Sequence, residues 1–284
     1  MILVSGAGGK TGQAIISALS KRGAKVRALV RRAEQIPLMK TLGAQDCAVG
    51  NMRRPADVEQ AINGARAVYH ICPNMARDEV AIGKIMIAAA KNAHAAHFVY
   101  HSVLHPQIKA MPHHWRKMRV EERLFEAGIP FTILQPAAYM QNVLAGWRQI
   151  IARGVYSAPY AVETRLGMVD LLDVAEAAAI VLTQTGHQGA IYELAGSETL
   201  TQAQVAEILS QQLDRPVRAE QISLEQWQAN ARQAGLSHYA IETLLKMFRY
   251  YEAFGFWGNS NTLTWLLGRS PNTFRQFIQR QERK

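Results

Sequence analysis

The chain has 284 residues, of which 49% are hydrophobic and 19% charged, a composition that excludes disordered and fibrous proteins. It is basic, with a formal net charge of +10. No apolar run is long enough to span a bilayer, and an apolar strand begins where a signal peptide would stand, so we expect a cytoplasmic protein without membrane association.

The basic excess is confined to one part of the chain. Residues 1–160 carry 21 Lys and Arg against 9 Asp and Glu, whereas residues 161–284 carry 11 against 13. A polyanionic cofactor accounts for part of this excess. Because the basic clusters lack the interleaved aromatic residues of a single-strand-binding platform, and no DNA-binding motif is present, we do not expect a nucleic-acid partner.

A glycine loop follows the first predicted strand, Ile2 to Val4. Gly6, Gly9 and Gly12 are spaced G-x-x-G-x-x-G and lead into an apolar helical pattern. Glycine permits the unusual dihedral angles of such a turn and lets the backbone approach a pyrophosphate, which the N–H groups and dipole of the helix start attract. The pattern predicts a dinucleotide site. It does not predict a triphosphate loop, because that loop needs four residues between its two glycines. Gly6 and Gly9 are separated by only two residues.

The end of the second predicted strand indicates which dinucleotide is bound. An NAD-specific fold places an acidic residue there to hold the ribose 2′-hydroxyl, whereas this chain has Arg31 and Arg32. A guanidinium pairs with the 2′-phosphate of NADP. The sequence therefore favours NADP(H) over NAD(H).

Strands and helices alternate through the first half of the chain. The predicted strands are 2–4, 25–30, 46–49, 67–72, 97–102 and 131–135, and the predicted helices are 13–21, 36–42, 55–62, 78–92 and 115–127. This repetition implies an α/β fold of Rossmann type, a doubly wound parallel sheet joined by right-handed crossovers. We assign residues 1–136 to an NADP-binding domain.

Residues 137–284 mix helices with short strands, and we assign them to a smaller, mostly helical substrate-binding part that is interleaved with the sheet. Predicted elements are a helix at 173–182, a strand at 190–194 and two helices opened by capping boxes at Thr201 and Ser223. A helical run at 241–257 is rich in aromatic residues. Such density suits either core packing or the wall of a pocket for a flat apolar ligand.

The cysteines and histidines do not predict a metal site. Cys47 and Cys72, the two cysteines, are expected to be small buried hydrophobes in a reducing compartment. Six histidines cluster between residues 94 and 114 with no Cys, Asp or Glu among them. Metal ligands are usually mixed sets with defined spacing, so we expect ordinary surface and pocket histidines.

Several motifs together resemble the NmrA-like branch of the atypical short-chain dehydrogenase/reductase superfamily, over nearly the whole chain. That branch includes NADPH-dependent quinone and triphenylmethane-dye reductases and non-catalytic NADP(H) sensors. The motifs are the glycine loop, the strand end at 26–31, Trp115-Arg-Lys-Met-Arg-Val-Glu-Glu, Thr132-Ile-Leu-Gln-Pro-Ala-Ala-Tyr-Met-Gln-Asn and Leu267-Gly-Arg-Ser-Pro.

The resemblance implies a set of site residues. It places Lys117 at the nicotinamide ribose, Tyr139 and Asn142 near the nicotinamide, and Ser102 at the superfamily's serine position. The wider set of expected cofactor contacts is Gly6, Gly9, Lys10, Thr11, Gly12, Arg31, Arg32, Asn51, Pro73, Ser102, Lys117, Tyr139 and Asn142.

The chain departs from the pattern at three positions. Gln135 stands where the family usually shows Arg, and Asn51 stands where it shows Asp beside the adenine. His113 stands where the wider superfamily has a tyrosine four residues before the lysine. Because histidine can exchange a proton near neutral pH, we expect His113 to act as general acid together with Lys117.

Two functions remain open. The first is an NADPH-dependent reductase that delivers hydride to a flat apolar acceptor such as a quinone. The second is a non-catalytic protein that binds NADP(H) and signals to a protein partner. Both require cofactor binding, so turnover separates them. The sequence identifies neither the acceptor, nor a partner, nor an oligomeric state.

Overall fold

The structure is a computed structural model that describes residues 1–282. The strands are β1 (Ile2–Val4), β2 (Val26–Val30), β3 (Asp46–Val49), β4 (Ala67–His70), β5 (His97–His101), β6 (Phe131–Pro136), β7 (Ala138–Tyr139), β8 (Val155–Ala158), β9 (Arg165–Val169), β10 (Ile191–Leu194), β11 (Thr199–Thr201) and β12 (Arg218–Gln221). The α-helices are α1 (Lys10–Lys21), α2 (Ile36–Thr41), α3 (Pro55–Ile62), α4 (Glu79–Asn92), α5 (Pro112–Ala127), α6 (Trp147–Arg153), α7 (Leu171–Thr183), α8 (Gln202–Gln212), α9 (Leu224–Gln233), α10 (His238–Phe254), α11 (Asn261–Leu267) and α12 (Phe274–Glu282). Short 3-10 helices cover Ala33–Gln35 and Met140–Gly146.

The central element is a seven-stranded sheet in the order β10-β6-β5-β4-β1-β2-β3. The strands β1 to β6 pair in parallel, for example Ile2 with Val26 and with Ala67. The order reverses between β4 and β1, which is the topological switch point of a doubly wound sheet. The α/β fold that the sequence predicted is confirmed.

The described chain falls into two compact units. The first consists of residues 1–107, 113–135 and 172–192, and the second of 108–112, 136–171 and 193 onward. The sequence predicted a first domain that ends at residue 136 and a second part, from residue 137, that is interleaved with the sheet. In the structure the chain returns to the first unit for most of α7 and the start of β10.

One face of the sheet is covered by α3, α4 and α5. Leu3, Val68 and Phe98 from the strands meet Ile82 of α4 and Val120 of α5 in one buried cluster. Alternate strand residues face this layer because successive side chains of a strand point to opposite faces. The packing leaves the carboxyl ends of the strands, with their loops, as the edge where ligands bind in such sheets.

The second unit is organised around a buried carboxylate. Asp170, fully buried after β9, accepts hydrogen bonds from Gln141 Nε2 at 2.7 Å and from Asn272 Nδ2 at 3.1 Å. It also forms an ion pair with Arg280 of α12. A buried charge is tolerated when it is paired and hydrogen-bonded, so this cluster ties α12 to β9.

Most predicted boundaries are confirmed to within two residues, whereas the starts of α1 and α5 and both ends of the aromatic helix α10 differ by three. The fourth strand ends at His70 and not at residue 72, because the amide of Ile71 donates to the Ser5 hydroxyl. Helix α5 begins at Pro112, since proline fits a first helical turn. The aromatic helix ends at Phe254, where Gly255 has a φ of +66°, so the residues up to 257 that we expected in it lie outside it.

Candidate functional site

The glycine loop is packed tightly on one side and open on the other. Gly6 has a φ of +62°, and a Cβ there would lie 2.8 Å from the carbonyl oxygen of Ile71. A Cβ at Gly12 would lie 2.5 Å from the carbonyl oxygen of Gly6 and 2.7 Å from the Cα of Ala7. At Gly9, in contrast, the only atom of the described chain near such a Cβ is the Gly6 carbonyl oxygen at 3.4 Å. Of the three glycines in the pattern, Gly9 is therefore the one with open space beside its Cα.

The start of α1 is suited to an anion. Gly9 is the residue before the helix and supplies no side-chain cap, and the first turn, residues 10–13, contains no acidic residue. The first amide groups of a helix lack intrahelical partners, and the helix dipole adds positive potential there. Lys10 is exposed and Thr11 half-buried at the same place. Together these groups can hold a phosphate or pyrophosphate.

The predicted arginines lie directly after β2. Arg31 and Arg32 are both exposed, and their amide groups donate to Gln35 Oε1 at 3.1 and 3.2 Å. The other end of the Gln35 amide lies against the glycine loop, because a Cβ at Gly8 would be 2.1 Å from Gln35 Nε2. Gln35 thus joins the arginine turn to the glycine loop. Sequence reasoning missed it, since no local signal distinguishes it from a surface glutamine.

Asn51 and Pro73 follow β3 and β4. Asn51 donates its amide N–H to Asp57 Oδ2 at 2.9 Å, and its side-chain Oδ1 accepts from the amide of Arg53 at 3.1 Å. The Asn51 side-chain oxygen therefore stabilises the turn, and the Asn51 NH₂ group supplies the hydrogen-bond donors of that side chain. Pro73 is half-buried in the loop after β4.

Lys117 lies on α5 with its side chain 16% exposed. Its Nζ is 2.7 Å from Glu79 Oε1 and 3.1 Å from the carbonyl oxygen of His101, the last residue of β5. Nζ also lies 5.4 Å from the ring centroid of Tyr100. An ammonium has three N–H donors. Two of them are engaged by these contacts.

Glu79 is a residue that sequence reasoning missed. It begins α4, its side chain is 3% exposed, and besides Lys117 it accepts the hydroxyl of Tyr100 at 2.9 Å. Nothing in the local sequence separates it from the neighbouring Asp78, whose side chain instead pairs with Arg53 at 2.6 Å. The two acids differ in their tertiary partners, which come from α5 and β5 for Glu79 and from the loop before α3 for Asp78.

His113 lies in the first turn of α5, and its Nδ1 atom is buried without a hydrogen-bond partner among residues 1–282. Burial, with lesser contributions from His114 and Lys117, lowers its pKa to about 2. Its ring is therefore neutral at neutral pH. A neutral imidazole holds its N–H too tightly to serve as an ordinary general acid, which works against the role that we expected from the sequence.

Ser102 follows β5, but its side chain turns inward. The residue is 2% exposed, and its hydroxyl donates to Glu121 Oε1. The Nε2 atom of Gln135 donates to both carboxylate oxygens of the same residue at 3.0 Å. Burial raises the pKa of Glu121, while these hydrogen bonds act in the opposite direction. Gln135, where the family usually has arginine, is thus an internal partner of Glu121, and we leave Ser102 out of the contacts proposed below.

Two further histidines lie beneath the site. His70 is fully buried, its Nδ1 is 2.9 Å from the Ser5 hydroxyl, and its Nε2 has no partner within the described part of the chain. His101 is 6% exposed, and its Nδ1 is 2.7 Å from the Tyr69 hydroxyl. Burial, and to a smaller extent the charge of Lys117, lowers the pKa of each to about 3. Both are neutral hydrogen-bonding groups under ordinary conditions.

Tyr139 and Asn142 belong to the second unit. Tyr139 ends β7 and is half-buried, whereas Asn142 is exposed in the 3-10 helix Met140–Gly146. Their predicted place beside the nicotinamide stays a prediction.

Cys72 is buried and Cys47 half-buried, and burial raises the pKa of both thiols. Over residues 1–282, no group of three His, Cys, Asp or Glu side chains is arranged to hold a metal ion. Within the same residues, no helix combines the length and the apolar character needed to cross a membrane.

The chain is similar to known proteins over nearly its whole length. The chain is 29% identical over 279 residues to an NAD(P)H azoreductase of Xenophilus azovorans, covering 98% of this chain and 96% of the relative. It is 26% identical over 282 residues to quinone oxidoreductase 2 of Escherichia coli, covering 98% and 97%. The crystal structure of the Escherichia coli NADPH-dependent quinone oxidoreductase complexed with NADPH superposes with a TM-score of 0.87 at 25% identity, covering 99% of this chain and 100% of that one.

The family model described as the NmrA-like family matches residues 1–274. Because this match covers most of the chain, the chain belongs to the NmrA-like family.

Proposed function

We propose that this protein is an NADPH-dependent reductase of a flat, apolar acceptor such as a quinone. The observation that carries the proposal is the glycine loop, where Gly6 and Gly12 are closed by packing and Gly9 stays open at the uncapped start of α1. The names of the azoreductase and quinone oxidoreductase relatives support it.

The residues present fit a dinucleotide phosphate. The amides at the start of α1, with Lys10 and Thr11, would hold the pyrophosphate. Arg31 and Arg32 carry exposed guanidinium groups on a turn that Gln35 fixes to the loop, and they would pair with the 2′-phosphate. That pairing is our reason for proposing NADPH over NADH. A bound reduced nicotinamide supplies a hydride.

The remaining residues act on the nicotinamide half. Lys117 has one donor beyond those engaged by Glu79 and His101, and we assign that donor to the nicotinamide ribose. Tyr139 and Asn142 would flank the nicotinamide ring. Their assignment rests on the resemblance of residues 132–142 to the family motif.

His113 takes a different role from the one expected for a general acid. Its pKa of about 2 keeps the ring neutral, and the enclosed Nδ1 leaves Nε2 as the nitrogen that can meet a ligand. A neutral imidazole can stabilise a developing oxygen anion by donating a hydrogen bond without giving up its proton. In this proposal His113 stabilises the reduced acceptor, and water supplies the proton.

The test is NADPH consumption with a panel of quinones and azo dyes, alongside NADPH titration by fluorescence. We expect binding and steady turnover with at least one acceptor class. Binding without consumption in the presence of any acceptor would refute the enzyme and favour the alternative, a non-catalytic protein that binds NADP(H). Failure to bind NADPH would refute both.

A further inference from the structure

We propose that Glu79 is a positioning residue, which holds the Lys117 ammonium so that its third N–H points to the nicotinamide half of the dinucleotide. This role presupposes the NADP(H) site proposed above. It concerns a carboxylate that no family motif in the sequence includes.

The contacts of the ammonium leave it little freedom. Nζ of Lys117 is held from one side by Glu79 Oε1 at 2.7 Å and from another by the His101 carbonyl oxygen at 3.1 Å. Glu79 is itself held, because its Oε1 also accepts the Tyr100 hydroxyl at 2.9 Å. A lysine side chain is otherwise among the most flexible, and ordering it costs rotamer entropy. The carboxylate therefore removes in advance a freedom that ligand binding would have to remove.

Burial makes a purely stabilising role a poor explanation for this pair. The side chains of Glu79 and Lys117 are 3% and 16% exposed. Desolvation of two charges offsets most of their attraction, and well-packed apolar residues stabilise such positions equally well. We therefore assign this ion pair a role in ligand binding and not in stabilising the fold.

The sheet order places the pair on the nicotinamide side. Strand β1 and its glycine loop lie between β2, which ends at the arginine turn, and β4, whose other neighbour is β5. Lys117 contacts His101 at the end of β5. If the pyrophosphate lies at the glycine loop and the 2′-phosphate at Arg31, the other half of the dinucleotide must extend toward β4 and β5, where the ammonium lies.

Two ligands separate positioning from a structural role. NADPH contains both halves of the dinucleotide, whereas adenosine 2′,5′-bisphosphate lacks the nicotinamide half. We would measure the affinity of both by calorimetry for wild type, Glu79→Gln, Lys117→Met and the double variant. Asp78→Asn is the matched control, because it removes the neighbouring carboxylate at the start of α4, whose partner is Arg53.

Glu79→Gln should weaken NADPH binding about tenfold, the lower end of the range for one charge-assisted hydrogen bond, and change the affinity for the bisphosphate by less than about twofold. With Lys117→Met already present, Glu79→Gln should have almost no further effect on NADPH binding, because no ammonium remains to be positioned. Asp78→Asn should match wild type. If Glu79→Gln does not fold, Glu79→Asp can replace it, because it keeps the charge but withdraws it by one methylene. Glu79→Asp should weaken the binding of NADPH and leave the binding of the bisphosphate unchanged.

Equal losses for both ligands, or an unchanged NADPH affinity in Glu79→Gln, would overturn this role while leaving the proposed function intact. The same holds if Glu79→Gln weakens NADPH binding equally with and without Lys117. A wild type that binds neither ligand would refute the proposed function, and this role with it.

Discussion

Adding a methyl group should affect mainly folding at one glycine of the loop and mainly NADPH binding at another. We consider Gly12→Ala and Gly9→Ala. At Gly12 the new Cβ would lie within 2.9 Å of three backbone atoms of Gly6 and Ala7. Backbone atoms cannot move aside cheaply, and overpacking of this kind costs about 1–3 kcal/mol or more. Gly12→Ala should therefore lower the free energy of unfolding of the protein without ligand.

At Gly9 the new Cβ meets the Gly6 carbonyl oxygen at 3.4 Å, and the φ of −82° suits alanine. The cost to folding should be limited to the poorer helix cap, about 0.5–1 kcal/mol. The methyl group would, however, occupy the space through which the pyrophosphate approaches the amides. Loss of one charge-assisted hydrogen bond, about 1.5–3 kcal/mol, weakens NADPH binding roughly 10- to 150-fold.

Urea unfolding without ligand and NADPH fluorescence titration measure the two effects separately. Gly146→Ala is the matched control, since Gly146 also precedes a helix, has a φ of −95° and has open space at its Cβ position. It should show the cap cost and normal NADPH binding. If Gly9→Ala binds NADPH as wild type does, the dinucleotide does not approach the loop at Gly9 and the proposed cofactor site is wrong.

Three further outcomes follow from the charges. Arg31→Asp should remove the preference for NADPH over NADH, because loss of a charge-assisted pair reduces the ratio of the two affinities about 10- to 100-fold. The control Arg232→Asp, which changes another exposed arginine, should leave the ratio unchanged. An unchanged ratio in Arg31→Asp would contradict the 2′-phosphate assignment. His113→Gln keeps a neutral N–H donor and should retain about tenfold more turnover than His113→Phe, with equal NADPH affinity in both variants. If the turnover rate of wild type instead changes with pH at about pH 6 to 7, and His113→Gln abolishes that change, His113 acts as a general acid. Burial holds the pKa of His70 and of His101 at about 3 in the folded protein, against 6.5 for the free group, so the unfolded chain binds protons first as the pH falls. The stability that these neutral histidines contribute is therefore full above pH 6.5, and it should decrease below that pH by about 1.4 kcal/mol per pH unit for each of them; His113, with its pKa of about 2, adds to the same loss. Urea unfolding at about pH 7.5 and pH 5.5 would measure the decrease, and equal values at both would show that these histidines are not buried as described.

Local spacing in the sequence was enough to predict the first unit's strands and helices. Apolar periodicity located β1 to β6, and the spacing of Gly6, Gly9 and Gly12 predicted the loop before α1, because both patterns depend on residues within one or two turns of chain. Arg31 could be proposed for the same reason. It comes at the end of a strand whose position the pattern already defined.

Tertiary structure decided what the side chains can do. Glu79 and Asp78 look alike in sequence, yet the tertiary structure pairs one with Lys117 of α5 and the other with Arg53 of the loop before α3. The sequence suggested that His113 could exchange protons, but desolvation by surrounding residues keeps it neutral. Such effects arise because residues far apart in the chain pack around the side chain. The pKa of that side chain depends on all of these contacts together, which no local sequence pattern encodes.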